Sequence, residues 1–310
     1  MVEQAFGSST SIHDVNELTD GWFNTAYAIV LQPGGGQTVL KVGPPADAEI
    51  LAYEKGILKA EVEVMQIMAT DPDIPVPQIQ FADWSRSLLP NDYYFMEFVP
   101  GSPWNKVRGQ WTEQDNYEIG RQLGHINQRI NRFENASFGY YASGPRFDRW
   151  PNAFRFMLEQ LLEDGAQYQI DLPLSASGFI DRYDRFASHF ADVTRPKLVA
   201  WDLWDGNVFV DIVDGKPTIR GIVDLERALW GDPLLEHYFG RDDNQAFLEG
   251  YAQNLQGTHS ARVRLLFYRL YLWLVMVIED GPRQYTDKRA VRWARGRLQA
   301  DLATLDEMDN

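Results

Sequence analysis

The sequence predicts an α+β fold with an N-terminal antiparallel-sheet lobe and a larger, mostly helical C-terminal lobe. Three N-terminal stretches have the β-branched and aromatic content of strands: 27–31, 38–42 and 93–99. From Thr112 onward, apolar residues recur mainly at helical spacing. The composition shifts at Pro100-Gly101. The predicted lobes are therefore residues 1–101 and 102–310.

In the first lobe, the segment Pro33–Gly36 connects two predicted strands. Its three glycines are followed by a strand, without the Lys-Ser/Thr pair and helix of a phosphate-binding P-loop, so a turn is favoured. Lys41 lies inside the apolar stretch 39–42, where an unpaired charge is costly. The pattern therefore predicts an anionic partner for this lysine.

The following segment, Ile57–Met68, has the pattern of a helix with one apolar face. Glu61 shares that face, whereas Glu63 lies on the wetter side with Lys59. Of these two glutamates, Glu61 is therefore expected to point inward, with a solvent-exposed glutamate as the alternative interpretation and Glu54 as a remote alternative for a buried carboxylate.

The second lobe contains several helix signals. Thr112 and Asp115 form a capping pair, and a further helix is expected at 152–162, ending near Gly165. One apolar stripe follows the cap: Ile119, Leu123, Ile126 and Ile130. The aromatic stretch 265–278 is more typical of a core helix than of a cofactor site.

A β-hairpin is predicted near residue 214, because alternating apolar runs at 208–212 and 219–223 flank Asp214-Gly215. A loop centred on residues 215 and 216 would place Asn207 directly opposite Asp224 at the open end. Asp202 precedes Asn207 by five residues. Each of these residues could instead be a turn former.

The stretch around this hairpin resembles the aminoglycoside phosphotransferase-like kinase superfamily, which includes choline, fructosamine and homoserine kinases. The family pattern is roughly HGDxxxxN, a hairpin, then IDxxxxxxGDP; here it reads AWDLWDGN, a hairpin and IVDLERALWGDP. Ala200 replaces the usual His, and Trp201 replaces the usual Gly. The resemblance implies a bilobal protein-kinase-like fold with a nucleotide-binding lobe, including the hinge strand, over 1–101. The catalytic and substrate-binding lobe would then be 102–310.

This arrangement is the one that kinase-type phosphoryl transfer needs. Asp202 would accept the proton of the attacking hydroxyl, and Asn207 and Asp224 would be the Mg²⁺ ligands. Lys41 would contact the phosphates of ATP or GTP, and Glu61 would orient Lys41.

The resemblance also implies further nucleotide contacts. The segment 21–25 is similar to the family's GGxN stretch, and three of its residues would cover the phosphates: Gly21, Asn24 and Thr25. In the hinge strand, the backbone of Glu97 and Val99 would meet the purine edge. An ordinary core strand explains these two residues equally well.

Composition excludes several function classes. The chain has no cysteine, which excludes disulfides and thiolate chemistry, and its five histidines lack metal-site spacing. The net charge of −15 argues against nucleic-acid binding. We see neither a secretory signal nor a membrane-spanning stretch, and the plain expectation is a cytoplasmic protein with no obligate protein partner.

The predicted function is transfer of the γ-phosphoryl group of ATP or GTP to a hydroxyl of a small molecule. The acceptor could be aminoglycoside-like, a sugar or an amino alcohol. The alternative is a nucleotide-binding pseudokinase scaffold, suggested by Ala200 and Trp201. If the loop is locally extended, Trp204 shares the side of Asp202 and would line the acceptor pocket, while Trp201 would be a core residue.

Overall fold

The structure is a computed structural model that describes residues 1–19 and 23–308. Its contacts divide the chain into two compact units. The sheet unit comprises residues 1–48, 58–119 and 205–226, and the helical unit comprises 49–57, 120–204 and 227–310.

The sheet unit contains a five-stranded antiparallel sheet in the order β1-β2-β3-β5-β4. The strands are β1 (Ser11–Leu18), β2 (Thr25–Gln32), β3 (Gln37–Val42), β4 (Ile79–Asp83) and β5 (Tyr93–Glu97). The helices that begin at or before residue 113 are α1 (Val2–Phe6), α2 (Ile57–Met68), α3 (Trp104–Val107) and α4 (Glu113–Ile130). The predicted strands, their connection at 33–36 and helix 57–68 are therefore confirmed, except that the third strand ends at Glu97 and not at Val99.

One face of the sheet carries an apolar core that α1 helps to cover. Four residues of β2, β3 and β5 form its centre: Ile29, Leu40, Tyr93 and Phe95. The Phe6 ring of α1 packs edge-on against Phe95 with 5.2 Å between ring centroids. Burial of these side chains fixes which residues of β3 point into the core and which point to its other face.

The hairpin lies in the sheet unit and consists of β9 (Val208–Val213) and β10 (Lys216–Ile222). The short strand β6 (Ser102–Pro103) pairs with β9, which gives a three-stranded sheet. This pairing explains why residues after 101 cluster with the N-terminal sheet. The division of contacts therefore does not follow a single boundary at residue 101.

The predicted hairpin register is wrong by one residue at the open end. The turn contains two residues, Asp214 and Gly215, with positive φ angles of 50° and 75°, as a tight hairpin turn requires. A bulge between Ile219 and Gly221 then shifts the pairing. Because the turn lies one residue earlier than predicted and the bulge offsets only half of the resulting shift, Ile222 pairs with Val208, and the residue opposite Asn207 is Val223 rather than Asp224.

The helical unit contains most of the remaining elements. Its helices are α5 (Trp150–Gln167), α6 (Ala176–Phe186), α7 (Gln245–Tyr251), α8 (His259–Ile278), α9 (Asp280–Arg283) and α10 (Arg289–Met308). A three-stranded sheet has the order β7-β11-β8, with β7 (Gly139–Tyr140), β8 (Lys197–Val199) and β11 (Leu229–Gly231).

The helix signals of this region match the structure with one difference. Thr112 and Asp115 cap α4 reciprocally, and the predicted stripe from Ile119 to Ile130 is buried. Helix α5 continues past Gly165, which sits close to Ile278: an added Cβ would lie 3.1 Å from that side chain. This glycine is thus explained by close packing and does not end the helix.

The predicted α+β class is confirmed. Among the helices in residues 1–19 and 23–308, none combines the length and apolar character needed to cross a membrane.

Candidate active site

The Lys41 ammonium group lies at the centre of a cluster of three carboxylates in the sheet unit, two of them buried. Its Nζ atom is 2.7 Å from Glu61 Oε2, 2.7 Å from Asp224 Oδ1 and 3.5 Å from Glu226 Oε2. The lysine side chain is 11% exposed, so these carboxylates replace the water that it would otherwise bind. We call these four residues the Lys41 cluster.

Helix α2 determines which glutamate reaches the lysine. The Glu61 side chain is 1% exposed and accepts a hydrogen bond from Lys41. Glu63 is 44% exposed and lies 4.0 Å from Lys59 on the outer face. Of the two candidates that the sequence offered, Glu61 is therefore the one that contacts the lysine.

Electrostatics keep the lysine protonated. Burial alone lowers the pKa of Lys41, but the charges of Asp224, Glu61 and Glu226 outweigh it and hold the pKa well above its usual value. The ammonium group is therefore a permanent cation at neutral pH.

The hairpin end presents Asp224 to this cluster. The N–H of Val223 donates to the carbonyl of Asn207 at 3.0 Å, and that of Ile222 donates to the carbonyl of Pro75 at 2.8 Å. Asp224 follows with a left-handed φ of 64°. Its side chain is 38% exposed, in contrast to the buried Glu61.

Glu226 is a member of the cluster that the sequence reasoning missed. It is 5% exposed, and its carboxylate also accepts a hydrogen bond from the Asn24 amide. The sequence signal that could have found Glu226 was its position two residues after Asp224, since residues two apart in an extended segment share a side. The Asn24 nitrogen is thus bonded to a carboxylate, whereas a phosphate contact was expected.

The donor set of the hairpin end suits a divalent cation of the Mg²⁺ type, which prefers hard oxygen ligands. Asp224 offers a carboxylate and Asn207 an amide oxygen. Glu61, Asp224 and Glu226 also lie close enough together to hold an ion, but Lys41 lies within 3.5 Å of an oxygen of each. By donor type, the predicted pair of Asp224 and Asn207 fits such a cation.

The remaining predicted nucleotide contacts are distributed as follows. Gly21 lies outside the described residues, and Thr25 is exposed at the start of β2. The N–H of Glu97 donates to the carbonyl of Gln78 at 2.9 Å, so this donor is already used within the sheet. Val99 is buried, and its side chain fills the space beside Gly221.

Asp202 lies in the helical unit, on the loop after β8, with a side chain that is 31% exposed. A buried carboxylate anchors the residues on either side of it. Glu236 accepts hydrogen bonds from the backbone N–H groups of Trp201 at 2.9 Å and Leu203 at 3.2 Å. We call this contact the Glu236 anchor; the sequence reasoning missed it.

Two further hydrogen-bond donors contact the Glu236 carboxylate. The N–H of His237 donates to it at 3.0 Å and the Asn127 amide at 3.5 Å. Burial raises the pKa of Glu236 to about 7, although these hydrogen bonds favour the charged form. The anchor therefore titrates near neutrality.

A family comparison establishes where the chain belongs. The model of the phosphotransferase enzyme family (APH) matches residues 14–266. The chain belongs to this family. Among curated proteins, no match was found.

Solved structures with the same fold cover nearly the whole chain. One is provisionally named as a fructosamine-3-kinase from Haemophilus somnus 129PT, with a TM-score of 0.68, 15% identity, and coverage of 97% of this chain and 95% of that one. Another is a thermostable mutant of the aminoglycoside phosphotransferase APH(4)-Ia, with a TM-score of 0.67, 19% identity and coverage of 98% and 97%. At this identity the likeness shows the fold, and it agrees with the resemblance read from the sequence.

Trp201, which stands where the family usually has glycine, has a left-handed backbone conformation, which glycine adopts most readily. Trp201 has a φ of 66°, a region that costs a non-glycine residue on the order of 1 kcal/mol or more. Its ring is 3% exposed and packs against Tyr271 and Tyr53, with centroid distances of 5.5 and 6.0 Å. Aromatic packing therefore offsets the strain of this left-handed residue directly before Asp202.

Proposed function

We propose that this phosphotransferase transfers the γ-phosphoryl group of ATP or GTP to a hydroxyl group of a small molecule. The observation that carries the proposal is the Lys41 cluster: a buried, permanently charged lysine 2.7 Å from both the α2 glutamate and the hairpin-end aspartate. A structural ion pair would need only one of these carboxylates. The second lies at the partly exposed hairpin end, where a ligand can reach it.

On the nucleotide side, Lys41 binds phosphate oxygens and Glu61 fixes its direction. Asn207 and Asp224 hold Mg²⁺, which when bound neutralises charge on the phosphates. A phosphate ligand competes with Asp224 for Lys41, so we expect the lysine to keep Glu61 when nucleotide binds. The Glu97 carbonyl and the Val99 backbone meet the purine, while Gly21 and Thr25 cover the phosphates.

On the acceptor side, Asp202 accepts the proton of the attacking hydroxyl. The Glu236 anchor restrains the peptide groups on both sides of it, which supports a base whose position matters to within about 1 Å. Trp204 is 40% exposed two residues further on and forms a wall of the acceptor pocket. Trp201, by contrast, belongs to the core.

A second candidate function is a nucleotide-binding pseudokinase that acts as a scaffold. It is motivated by Ala200 and Trp201, which replace the family's usual residues just before Asp202. The left-handed backbone of Trp201 argues against this function, because glycine adopts this conformation at the least cost and Trp201 adopts it here as well.

An acceptor screen with γ-labelled ATP, Mg²⁺ and small molecules bearing hydroxyl groups tests the proposal, with mass spectrometry of the product. The screen should include aminoglycosides, sugars, amino alcohols and fructosamines. A product heavier by one phosphoryl group, formed by the parent and not by Asp202→Asn, is the expected result. Nucleotide binding without hydrolysis or transfer to any acceptor would favour the scaffold.

A further inference from the structure

Arg227 is a half-buried arginine that none of the roles above uses. It belongs to the helical unit, and its side chain is 15% exposed. Its Nε atom lies 3.8 Å from Asp202 Oδ2, and its Nη2 atom donates to Glu279 Oε1 at 2.6 Å. The guanidinium group thus connects the proposed base to a buried carboxylate.

A ladder of alternating charges continues behind it. Arg283 donates to the other oxygen of Glu279 at 3.0 Å and also to Glu54. The Tyr53 hydroxyl donates to Glu279 at 2.8 Å. The side chains of Glu54, Glu279 and Arg283 are 1%, 7% and 11% exposed. We call Arg227, Glu279, Arg283 and Glu54 the arginine ladder.

The ladder holds Arg227 in one place. Burial raises the pKa of Glu279, but Arg227 and Arg283 outweigh it, so the pKa is below its usual value and Glu279 is a firm anion. The Arg227 guanidinium also lies over the rings of Tyr53 and Trp201, 5.7 and 6.0 Å from their centroids. Aromatic faces and a fixed carboxylate together leave this arginine little rotational freedom.

We propose that Arg227 is a positioning residue that acts through Asp202; this inference rests on the proposed function. At 3.8 Å the contact is an ion pair and not a short hydrogen bond. The arginine therefore attracts the carboxylate and restrains its rotamer without covering Oδ2 with a short bond. Glu279 keeps the guanidinium from closing that distance.

The geometry requires an arginine at this position. Glu279 and Asp202 are met by two different nitrogens, Nη2 and Nε, of one planar group. A lysine has a single nitrogen and cannot reproduce both contacts in that plane. Arg227→Lys should therefore keep the positive charge but position the Asp202 carboxylate only in part.

The test compares Arg227→Ala, Arg227→Lys and Glu279→Gln with the parent, with Arg269→Ala as the matched control. Arg269 also pairs with a buried carboxylate, Asp301, but lies outside the proposed site. The assay is Mg²⁺-dependent phosphoryl transfer from ATP to water, followed by transfer to any acceptor found in the screen. Melting temperature and KM for ATP are measured in parallel.

We expect kcat to fall by about tenfold or more in Arg227→Ala, with KM for ATP within about twofold of the parent, as expected for a displaced base. Arg227→Lys should recover part of kcat, and added guanidinium at non-denaturing concentration should raise kcat of Arg227→Ala but not of Arg269→Ala. The kcat of Glu279→Gln should lie between those of Arg227→Ala and the parent. If Arg227→Ala does not fold, the kcat of Glu279→Gln tests the inference in its place.

Parent-like kcat in folded Arg227→Ala or Glu279→Gln, with an inactive Asp202→Asn, would overturn the inference and leave the proposed function standing. Losses that match the unfolded fraction, as expected for Arg269→Ala, would also overturn it. Parent-like turnover in Asp202→Asn would overturn the proposed function itself, and an inactive parent would overturn both.

Discussion

The Lys41 cluster and the loop that carries Asp202 are fixed by different kinds of contact. Lys41 is held by direct side-chain ion pairs to carboxylates from a helix and a hairpin end. The Asp202 loop is held through its backbone, since Glu236 accepts the N–H groups of the residues on either side. Substitutions in the Lys41 cluster should therefore change the charge around Lys41. Substitutions at the Glu236 anchor should instead change the geometry of the Asp202 loop and the stability of the fold.

The largest effect should come from Asp224→Ala. We expect loss of turnover by about a thousandfold, because the variant removes both a proposed metal ligand and a partner of Lys41. The fold should persist, since the side chain is 38% exposed and Lys41 keeps Glu61 and Glu226. Turnover and melting temperature check this prediction.

Asp211→Ala is the control for that variant, because Asp211 is an exposed aspartate of the same hairpin. It should retain parent-like turnover. Equal activity of Asp224→Ala and the parent would refute the metal assignment.

The Glu236 anchor should make the free energy of unfolding depend on pH. Its pKa rises from an ordinary value of 4.5 to about 7 in the folded chain. The folded state therefore binds a proton more tightly, so this group's stabilising contribution is complete below pH 4.5 and is lost as pH rises through about 7. The loss amounts to roughly 3 kcal/mol over this window, at 1.36 kcal/mol per pKa unit.

In Glu236→Gln, the free energy of unfolding should lack this pH-dependent contribution. Its amide nitrogen must face some of the donors around it, which costs about 1–3 kcal/mol for each unsatisfied group. Denaturant unfolding across the same window should show the parent's advantage over the variant shrinking as pH rises. A constant difference at all pH values would show that Glu236 does not titrate there.

Glu61→Gln should lower turnover by tens of fold, because it removes the ionic contact that directs Lys41. Glu63→Gln is the control on the same helix: its side chain is 44% exposed and its ion pair with Lys59 contributes at most about 0.5 kcal/mol. Steady-state kinetics on both variants measure the difference. The reverse pattern would mean that the wrong helix face had been chosen.

The smallest expected effect belongs to Trp204→Ala. We expect the KM for the acceptor to rise several-fold, with the KM for ATP and the melting temperature unchanged, because a partly exposed indole is removed from a pocket wall. A large loss of stability with unaltered acceptor kinetics would identify Trp204 as a core residue instead.

The difference between the two regions also explains what the sequence could predict. Lys41 and Glu61 lie on regular elements, where side-chain direction follows from strand alternation and helical spacing. Their contact could therefore be expected from the sequence. The hairpin register could not, because the turn lies one residue earlier than predicted, at Asp214 and Gly215, and no local signal marks the bulge between Ile219 and Gly221 that offsets half of the resulting shift.

The contacts around Asp202 depend on residues far apart in the chain. Glu236 bonds to residues more than 30 positions earlier, and Glu279 lies 52 positions after Arg227. Isolated acidic residues in a chain with 44 of them give no indication of such partners. Only the folded arrangement distinguishes these carboxylates from surface charges.

The most direct test of the account measures nucleotide binding and turnover together in the parent and in Asp202→Asn. With Mg²⁺ and ATP, we predict that both bind nucleotide with similar affinity, and that only the parent transfers the γ-phosphoryl group at a substantial rate. Equal transfer by Asp202→Asn would contradict the assignment of the base, and binding without transfer by the parent would contradict the phosphotransferase function itself.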